Sequence, residues 1–343
     1  MTENLDGVQR LRTLISAGKS DEAVTEARRM ILVDAANPDV HHLLGVALAG
    51  LGRVEDSLDS LDAAIDIRVT HENAQRDLRT LLAHRGRASG RYSITVITPT
   101  IGTPYLAKAI ESVQAQTYGR VEHVIIVDGP AGADAVQAML PKAPRHPVHV
   151  ITLPFNTGAG GFNGHRIYGA AVFLVSGRYV AFLDEDNWFE PDHLSRLMNL
   201  IEVNGLEWAY SLRQLVDCDG LPIGPDDCES LGRWPSWEGA DIHVVDFSCY
   251  LVRRDFLLRY SMIFHRRYRD EMCPDIALCN LLLAGAPNFA CSGAYSLNYM
   301  IGRSEKSVKA EFFRIGNEYM SLSYDGKPFP WREPSVMRGP AGQ

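Results

Sequence analysis

A cluster of three acidic residues ends one of the most apolar stretches of the chain. Residues 180–183 read Val-Ala-Phe-Leu, and Asp184, Glu185 and Asp186 follow them directly. Adjacent carboxylates repel one another, and proteins usually tolerate this arrangement where a cation lies among them. The pattern therefore predicts a bound cation at the end of a buried strand. The alternative is a solvated acidic turn.

A glycine-rich loop is the second candidate for chemistry. Residues 156–166 read NTGAGGFNGHR, beginning at Asn156 and ending at Arg166, where a helix is expected to start. The glycine spacing does not fit a dinucleotide-binding motif, and the loop follows the third expected strand instead of the first. A glycine-rich turn leading into a helix N-terminus with an arginine suits phosphate oxygens. A surface turn with a solvated arginine is the alternative.

Four apolar segments are predicted to be the strands that position these groups. They lie at residues 93–98, 123–128, 148–153 and 179–183. Helices are expected between them, one opening with Thr103 as N-cap and Pro104 as first residue and another at about 166–176. Nearly continuous apolar strands that alternate with helices predict a parallel sheet covered on both faces. Ligands of such sheets bind at the carboxyl ends of the strands, where the loop, the acidic cluster, Pro99, Thr100 and Asp128 are expected to lie.

The first 90 residues differ from the rest of the chain because they contain an internal repeat. The segment GKSDEAV at 18–24 recurs as GRVEDSL at 52–58, a spacing of 34 residues. That spacing is the period of tetratricopeptide repeats, so we predict an all-α, tetratricopeptide-like domain over 1–88, ending in a linker at 84–90. Its helices serve either as a docking surface for a protein partner or a second subunit, or only as a cap on a sheet edge.

Composition excludes several classes of function. The formal net charge of −8 argues against a general nucleic-acid binder. No apolar run reaches the ~20 residues of a membrane span. The first residues, MTENLDGVQR, lack the basic and apolar regions of a secretory signal. We expect a cytoplasmic protein without a membrane span.

The order of the motifs resembles that of the family 2 glycosyltransferases of GT-A fold. SITVITPTIGTPYLAKAIESVQAQTYGRVEHVIIVDG is followed by NTGAGGFNGHR and then by GRYVAFLDEDNWFEPDHL, and the resemblance extends over about residues 92–319. It implies an α/β catalytic domain with a Rossmann-like, mostly parallel sheet. We assign this domain to 89–325 and a C-terminal tail to 326–343.

The resemblance also implies roles at the metal and donor site. Asp184-Glu185-Asp186 matches the DxD motif of the family, in which Asp186 would bind Mn²⁺ or Mg²⁺ and Asp184 would contact the metal or the ribose. The remaining substrate-binding candidates are Pro99, Thr100, Asp128, Asn156, Arg166, Trp188 and Arg303. Trp188 either stacks on a sugar or belongs to the core. Arg303 opens a segment, with Ser304, Lys306 and Ser307, that resembles the part of the family closing over the diphosphate.

A candidate catalytic base lies further along the chain. Asp275, in the segment CPDIAL, resembles the base of the Glu-Asp-x-x-Leu helix, although Pro274 replaces the acid and Glu271 lies nearby. Asp275 as the N-cap of a helix is the alternative, and Glu271 or Asp270 would then be the next candidates for the base.

These observations lead to one functional expectation and two alternatives. We expect a metal-dependent, inverting glycosyltransferase that moves a sugar from a nucleotide-sugar donor, UDP being favoured on family grounds, to a hydroxyl or thiol of a glycan, metabolite or peptide. One alternative is a nucleotidyltransferase, but the usual phosphate loop after the first strand is missing. The other is a non-catalytic adaptor, against which the intact Asp184, Asp186 and Asp275 argue.

Overall fold

The structure is a computed structural model that describes residues 2–68, 71–74, 76–78, 80–81, 93–268, 273–303 and 307–339. The chain divides into two compact units, Met1–Gly90 and Arg91–Gln343. The linker expected at 84–90 lies outside the described residues. In the described part of the chain, no helix is both long and apolar enough to cross a bilayer.

Four helices account for most of the first unit. They are α1 (Thr2–Ser16), α2 (Ser20–Val33), α3 (Pro38–Gly50) and α4 (Val54–Ile67). The start of α3 follows from local chemistry, because the Asn37 side chain accepts hydrogen bonds from the backbone N–H groups of Asp39 and Val40, and Pro38 occupies the first turn.

The two halves of the internal repeat have the same turn. Gly18 lies in the middle of the α1–α2 connection and Gly52 in the middle of the α3–α4 connection, and both have a φ of 72°, which favours glycine. The helices of the second pair pack closely, since the Ser57 hydroxyl donates to the Gly45 carbonyl at 2.6 Å. The shared turn agrees with the repeat in the sequence, while membership of the tetratricopeptide class stays a prediction.

A ten-stranded sheet forms the centre of the second unit. Its strands are β1 (Ile94–Thr100), β2 (Val121–Val127), β3 (Val148–Thr152), β4 (Tyr179–Phe182), β5 (Trp188–Phe189), β6 (Trp208–Val216), β7 (Pro222–Pro225), β8 (Tyr250–Arg253), β9 (Phe289–Met300) and β10 (Ser335–Met337). Every residue of β1, β2 and β4 is buried, as expected for strands covered on both faces.

The four predicted strands are parallel neighbours, in the order β4-β1-β2-β3. The remaining strands make the sheet mixed, because β8 runs antiparallel to both β4 and β6, and β10 runs antiparallel to β9. Thr100 pairs with Val127 and Ile97 with Phe182, so β1, β2 and β4 end at the same edge. That edge is where the sequence predicted the site.

In the described residues of the second unit, seven α-helices accompany the sheet. They are α5 (Leu106–Gln114), α6 (Ala133–Met139), α7 (His165–Leu174), α8 (His193–Asn204), α9 (Arg254–Tyr260), α10 (Pro274–Gly285) and α11 (Ala310–Ser323). The predicted apolar face of α5 is buried, but the predicted N-cap is wrong, because the helix begins at Leu106 after Tyr105. Thr103 lies in the preceding turn, where its backbone N–H donates to Glu185 at 3.3 Å.

Two boundaries also differ from those expected. Pro99 and Thr100 belong to β1 instead of stopping it, and they pair in register with β2. The segment expected as a C-terminal tail is part of the second unit, since β10 pairs with β9. Trp331 is fully buried there, and its indole N–H donates to Asp227 at 2.7 Å.

Candidate active site

The acidic cluster begins one residue after β4 and is fixed by long-range hydrogen bonds. The Tyr168 hydroxyl donates to Asp184 at 2.6 Å, and the backbone N–H of Asp184 donates to the Ser248 hydroxyl at 3.2 Å. Burial, together with the charges of Asp246 and Asp186, raises the pKa of Asp184 to about 7. A carboxylate in this position gains strongly from a nearby positive charge.

Glu185 ties the cluster to the end of β1. It accepts a hydrogen bond of 2.5 Å from the Thr100 hydroxyl and one of 3.3 Å from the backbone N–H of Thr103. The Thr100 hydroxyl also accepts the Gly102 N–H at 2.8 Å. Thr100, predicted to contact the nucleotide, therefore uses its side chain to join two strand ends.

Asp186 forms an ion pair with Arg303. A guanidinium nitrogen of Arg303 donates to Asp186 at 2.7 Å and another lies 3.4 Å from Glu185. The guanidinium also lies 5.1 Å from the centre of the Tyr105 ring. Arg303 thus brings a positive charge to the acidic cluster from the segment after β9. Ser304 and Lys306, which were expected to act with it, lie outside the described residues.

Asp128, at the end of β2, holds the glycine-rich loop. One carboxylate oxygen accepts from the backbone N–H and the hydroxyl of Thr157, at 2.6 and 2.9 Å, and the other accepts from the Gly158 N–H at 2.9 Å. The Asn156 side chain accepts from the Ala159 N–H at 2.8 Å. A side chain at Gly158 would come within 2.4 Å of the Asn163 carbonyl oxygen. Glycine is therefore required for this loop to close.

These groups surround one cavity of about 690 Å³. Its wall contains seven of the ten predicted site residues: Pro99, Thr100, Asp128, Asn156, Asp184, Asp186 and Arg303. Glu185, Asn187, His165 and Tyr299 line it as well. Burial lowers the pKa of His165 to about 4, so its imidazole is neutral at physiological pH. The carboxylates consequently outnumber the cations of the described cavity wall.

Arg166 and Trp188 are not part of this wall. Arg166 donates to the Thr157 carbonyl at 3.3 Å, and its guanidinium carbon lies 3.5 Å from the centre of the Phe162 ring. Its side chain therefore contacts residues of the glycine-rich loop itself. Trp188 belongs to β5, where it pairs with Asn298, and the Lys108 ammonium lies 3.3 Å from its ring centre. The structure does not bring either side chain to the position that the sequence suggested.

Asp275 is not part of the cavity wall, although the charge of Asp184 in the acidic cluster acts on its carboxyl group. It is in the first turn of α10, whose N-cap is Cys273, so the N-cap interpretation is wrong. Its carboxylate accepts the Phe247 N–H at 3.2 Å. Burial, followed by the charges of Asp246 and Asp184, raises the pKa of Asp275 well above its ordinary value. The alternative bases Asp270 and Glu271 lie outside the described residues.

Several residues of this region carry no signal in the sequence. Tyr168 lies on the inner face of α7, and Asp246 precedes β8 after two buried valines. Asp246 accepts a hydrogen bond of 3.0 Å from Arg213, a fully buried arginine that also pairs with Asp226 and Glu229. These partners are far apart in the chain, and only the fold brings them together.

The donor atoms of the acidic cluster fit a divalent cation shared with a ligand. Among the described residues, no three His, Cys, Asp or Glu side chains form a group that could hold a metal ion by themselves. Of the four carboxylates in the cavity wall, Asp184 and Asp186 are the two that the sequence predicted as metal ligands. Mg²⁺ at phosphate sites often takes one or two protein carboxylates and completes its coordination with phosphate oxygens and water. The pair therefore suits a cation that binds together with a phosphorylated substrate.

Comparisons with known proteins agree with this geometry. Residues 95–260 match the family described as Glycosyl transferase family 2. The succinoglycan biosynthesis protein ExoO of Rhizobium meliloti (strain 1021) is 34% identical over 130 residues, 38% of this chain and 35% of that protein. The putative teichuronic acid biosynthesis glycosyltransferase TuaG of Bacillus subtilis (strain 168) is 26% identical over 133 residues, 38% of this chain and 50% of that protein. The alignments thus cover half or less of either relative.

One solved structure aligns with about two thirds of the chain. The crystal structure of S. aureus TarS 1-349 in complex with UDP aligns with a TM-score of 0.46 and 14% sequence identity, over 68% of this chain and 72% of that chain. The matched family and the relative TuaG are both described as glycosyl transferases.

Proposed function

We propose that this chain, which carries a glycosyl transferase family 2 domain, is a metal-dependent, inverting glycosyltransferase that uses a nucleoside diphosphate sugar. The observation that carries the proposal is the single cavity in which Asp128, Asp184 and Asp186 meet the glycine-rich loop at the carboxyl ends of three parallel strands. UDP is the favoured nucleotide on family grounds.

The charge of the cavity supports a requirement for a cation. Its described wall carries the carboxylates of Asp128, Asp184, Glu185 and Asp186, against one guanidinium, that of Arg303. A diphosphate entering this cavity would be repelled unless further positive charge came with it. Asp184 and Asp186 would hold a divalent cation, which would supply that charge and offset the charge of the leaving diphosphate.

The protein groups have separate tasks in this proposal. Asp128 acts through the loop that it holds, while the backbone of that loop and Pro99 contact the nucleoside. Arg303 moves from Asp186 to a phosphate oxygen when the donor binds. Arg166 and Phe162 keep the loop in place.

Asp275 is proposed to be the general base. It takes the proton of the acceptor hydroxyl or thiol, the acceptor atom forms a bond to the anomeric carbon, and the bond from that carbon to the diphosphate oxygen breaks. Attack opposite the leaving group inverts the configuration. Burial raises the pKa of Asp275, which makes its carboxylate a stronger base than an exposed one.

A saccharide is the favoured acceptor. The two relatives are named for succinoglycan and teichuronic acid biosynthesis, which supports a saccharide over a metabolite or a peptide. The tetratricopeptide-like first unit is proposed to recruit the acceptor, a protein partner or a second subunit. A chain starting at Ser89 should then hydrolyse donor normally and lose transfer, whereas unchanged transfer would contradict the recruitment role.

The proposal is tested with a panel of UDP-glucose, UDP-galactose, UDP-N-acetylglucosamine and GDP-mannose, each with Mn²⁺ and with EDTA. We expect a UDP-sugar to raise the melting temperature and to release UDP slowly to water, in both cases only with Mn²⁺. Asp186→Ala should lose both effects and melt near the wild type, because carboxylate repulsion falls as the Arg303 pair is lost.

Asp192→Ala is the matched control for this experiment. Asp192 forms an exposed ion pair with Arg196 outside the cavity, so its variant should respond to Mn²⁺ and donor as the wild type does. Binding without release of nucleotide from any donor would instead indicate a non-catalytic adaptor. Equal donor binding with Mn²⁺ and with EDTA would contradict the proposed requirement for a divalent metal.

A further inference from the structure

Three consecutive residues connect the acidic cluster with Asp275. Residues 246–248, called the 246–248 turn below, precede β8 and include the start of a short 3-10 helix, Phe247–Cys249. Asp246 is 8% exposed, Phe247 3% and Ser248 0%, so the turn is buried beside a polar cavity. Each of its residues forms a hydrogen bond to a different partner.

Ser248 holds the acidic cluster. Its hydroxyl accepts the backbone N–H of Asp184 at 3.2 Å and lies 3.5 Å from the Asn187 side-chain nitrogen. The carbonyl oxygen of the Asn187 side chain accepts the Met300 N–H at 3.0 Å. The serine therefore fixes the chain that presents the carboxylates, without contacting the carboxylates themselves.

Phe247 holds Asp275. Its backbone N–H donates to the Asp275 carboxylate at 3.2 Å, which fixes one oxygen of that group. The Phe247 ring packs against Tyr168, whose hydroxyl donates to Asp184, with ring centres 5.6 Å apart. One residue thus contacts both the candidate base and the support of the acidic cluster.

Asp246 fixes the turn itself. One carboxylate oxygen accepts the Ser248 N–H at 2.9 Å, which sets the backbone conformation of the turn. The other accepts Arg213 at 3.0 Å, and the backbone N–H of Asp246 donates to the Ser230 hydroxyl at 2.9 Å. Arg213 is anchored independently by Asp226 and Glu229. A charge-assisted bond to an anchored guanidinium holds the turn in one place.

We infer that Asp246 is a positioning residue which, by fixing the 246–248 turn, sets the separation between the general base Asp275 and the carboxylates that hold the donor. The inference rests on the proposed function. It adds a group that touches neither donor nor acceptor and acts through Ser248 and Phe247. Replacing Asp246 should slow the chemical step and leave donor affinity unchanged. A small misplacement of reacting groups lowers the rate strongly, whereas donor binding does not depend on the position of the base.

The test compares Asp246→Ala, Asp246→Asn and Asp192→Asn by hydrolysis of whichever UDP-sugar of the panel the wild type cleaves. Asn can still accept the Ser248 N–H, whereas Ala cannot. We expect Asp246→Ala to lower kcat at least 30-fold with the KM for donor within twofold of the wild type, and Asp246→Asn to recover at least tenfold over Ala. Asp192→Asn, which removes the charge of an exposed ion pair outside the cavity, should keep kcat within twofold.

A second measurement keeps the inference testable if Asp246→Ala folds poorly or if no donor is cleaved. Crystal structures of Asp246→Asn and Ser248→Ala should show Asp275 displaced by more than 1 Å relative to Asp184 in at least one variant. Equal kcat in all variants, an equal loss in Ala and Asn, or an unchanged position of Asp275 would overturn the inference. Absence of nucleotide release from the wild type would contradict the proposed function instead, leaving the structural comparison to decide on positioning.

Discussion

Arg303 and Asp186 are joined by a hydrogen bond of 2.7 Å, although 117 residues separate them in the chain. The same guanidinium lies 3.4 Å from Glu185, so it contacts two of the three carboxylates of the acidic cluster. A cation that uses Asp186 has to compete with Arg303. This relationship leads to the first prediction.

Arg303→Met should bind Mn²⁺ more tightly than the wild type when no nucleotide is present. Removing a partly exposed ion pair of ~1 kcal/mol corresponds to about a fivefold gain in affinity. UDP affinity in the presence of Mn²⁺ should fall, since the guanidinium is lost from the phosphates. Electron paramagnetic resonance of free Mn²⁺ measures the first effect and calorimetry the second.

Arg314→Met serves as the control for Arg303. Arg314 lies on α11 and forms exposed ion pairs with Glu311 and Glu318. Its variant should bind Mn²⁺ and UDP as the wild type does. Unchanged Mn²⁺ affinity in Arg303→Met would show that Asp186 is not a ligand.

Asp275→Asn should fold and bind donor but lose most of its catalytic rate. Asn keeps an acceptor for the Phe247 N–H but cannot take a proton, and loss of a general base typically costs ~10²–10⁴ in rate. Asp255→Asn, in the first turn of α9 and paired with Arg253, is the control and should keep the rate. Wild-type turnover in Asp275→Asn would exclude Asp275 as the base.

The same variant should also change the pH dependence of stability. The pKa of Asp275 is raised in the folded state, so the wild type loses stability as pH rises through that folded pKa. Asn has no charge to bury, so the melting temperature of Asp275→Asn relative to the wild type should increase between pH 5 and pH 8. A constant difference across this range would mean that folding does not raise the pKa of Asp275.

His123 should make the second unit sensitive to acid. It is fully buried on β2, its Nε2 lies 2.8 Å from the Thr98 hydroxyl, and burial lowers its pKa from 6.5 to about 3. Below pH 6.5 the unfolded chain binds a proton that the folded chain does not, so stability falls by up to ~1.4 kcal/mol per pH unit.

His123→Gln should therefore lose about 2–3 kcal/mol less than the wild type between pH 7 and pH 4.5, as measured by urea denaturation at each pH. Identical slopes in wild type and His123→Gln would argue that His123 becomes protonated in the folded state.

Gly45→Ala should destabilise the first unit alone. A Cβ at Gly45 would lie 2.7 Å from the Cγ of Leu61 and 3.2 Å from the Ser57 carbonyl oxygen, and overpacking of this kind costs ~1–3 kcal/mol. Calorimetry should show one transition moved to lower temperature, with donor hydrolysis unchanged. Gly119→Ala, where a Cβ meets nothing within 4 Å, is the control. If every calorimetric transition moved to lower temperature together, the prediction that only the first unit is destabilised would be wrong.

The parallel strands and the place of the cavity could be predicted because their signals are local. β1, β2 and β4 are continuous apolar runs, and the rule that ligands bind at carboxyl ends directs attention to Asp128 and the acidic cluster. The helix start at Leu106 could not be predicted from local sequence. The backbone N–H of Thr103 donates to the carboxylate of Glu185, which lies 82 residues further along the chain. The same holds for the antiparallel β8, whose direction depends on its neighbours in the sheet.

The roles of individual site residues were harder to predict. Arg166 and Trp188 match the expected motif positions, yet their side chains contact Phe162 and Lys108 instead of the cavity. Asp246 belongs to no motif, and its importance follows from Arg213, Ser248 and the Phe247–Asp275 contact. A local pattern predicts which backbone positions reach the site, whereas the direction of each side chain depends on partners that are distant in sequence.

The hydrogen bonds from the backbone N–H groups of Thr157 and Gly158 to Asp128 have a thermodynamic consequence for ligand binding. Fixing the backbone of one flexible residue costs ~1–2 kcal/mol of conformational entropy, and a glycine-rich loop has more to lose than most. Here that entropy is lost when the protein folds, before any ligand arrives. A ligand that binds against this loop would therefore do so with a smaller unfavourable entropy than the glycine content suggests, and neutralising Asp128 would transfer the cost of ordering to the binding step.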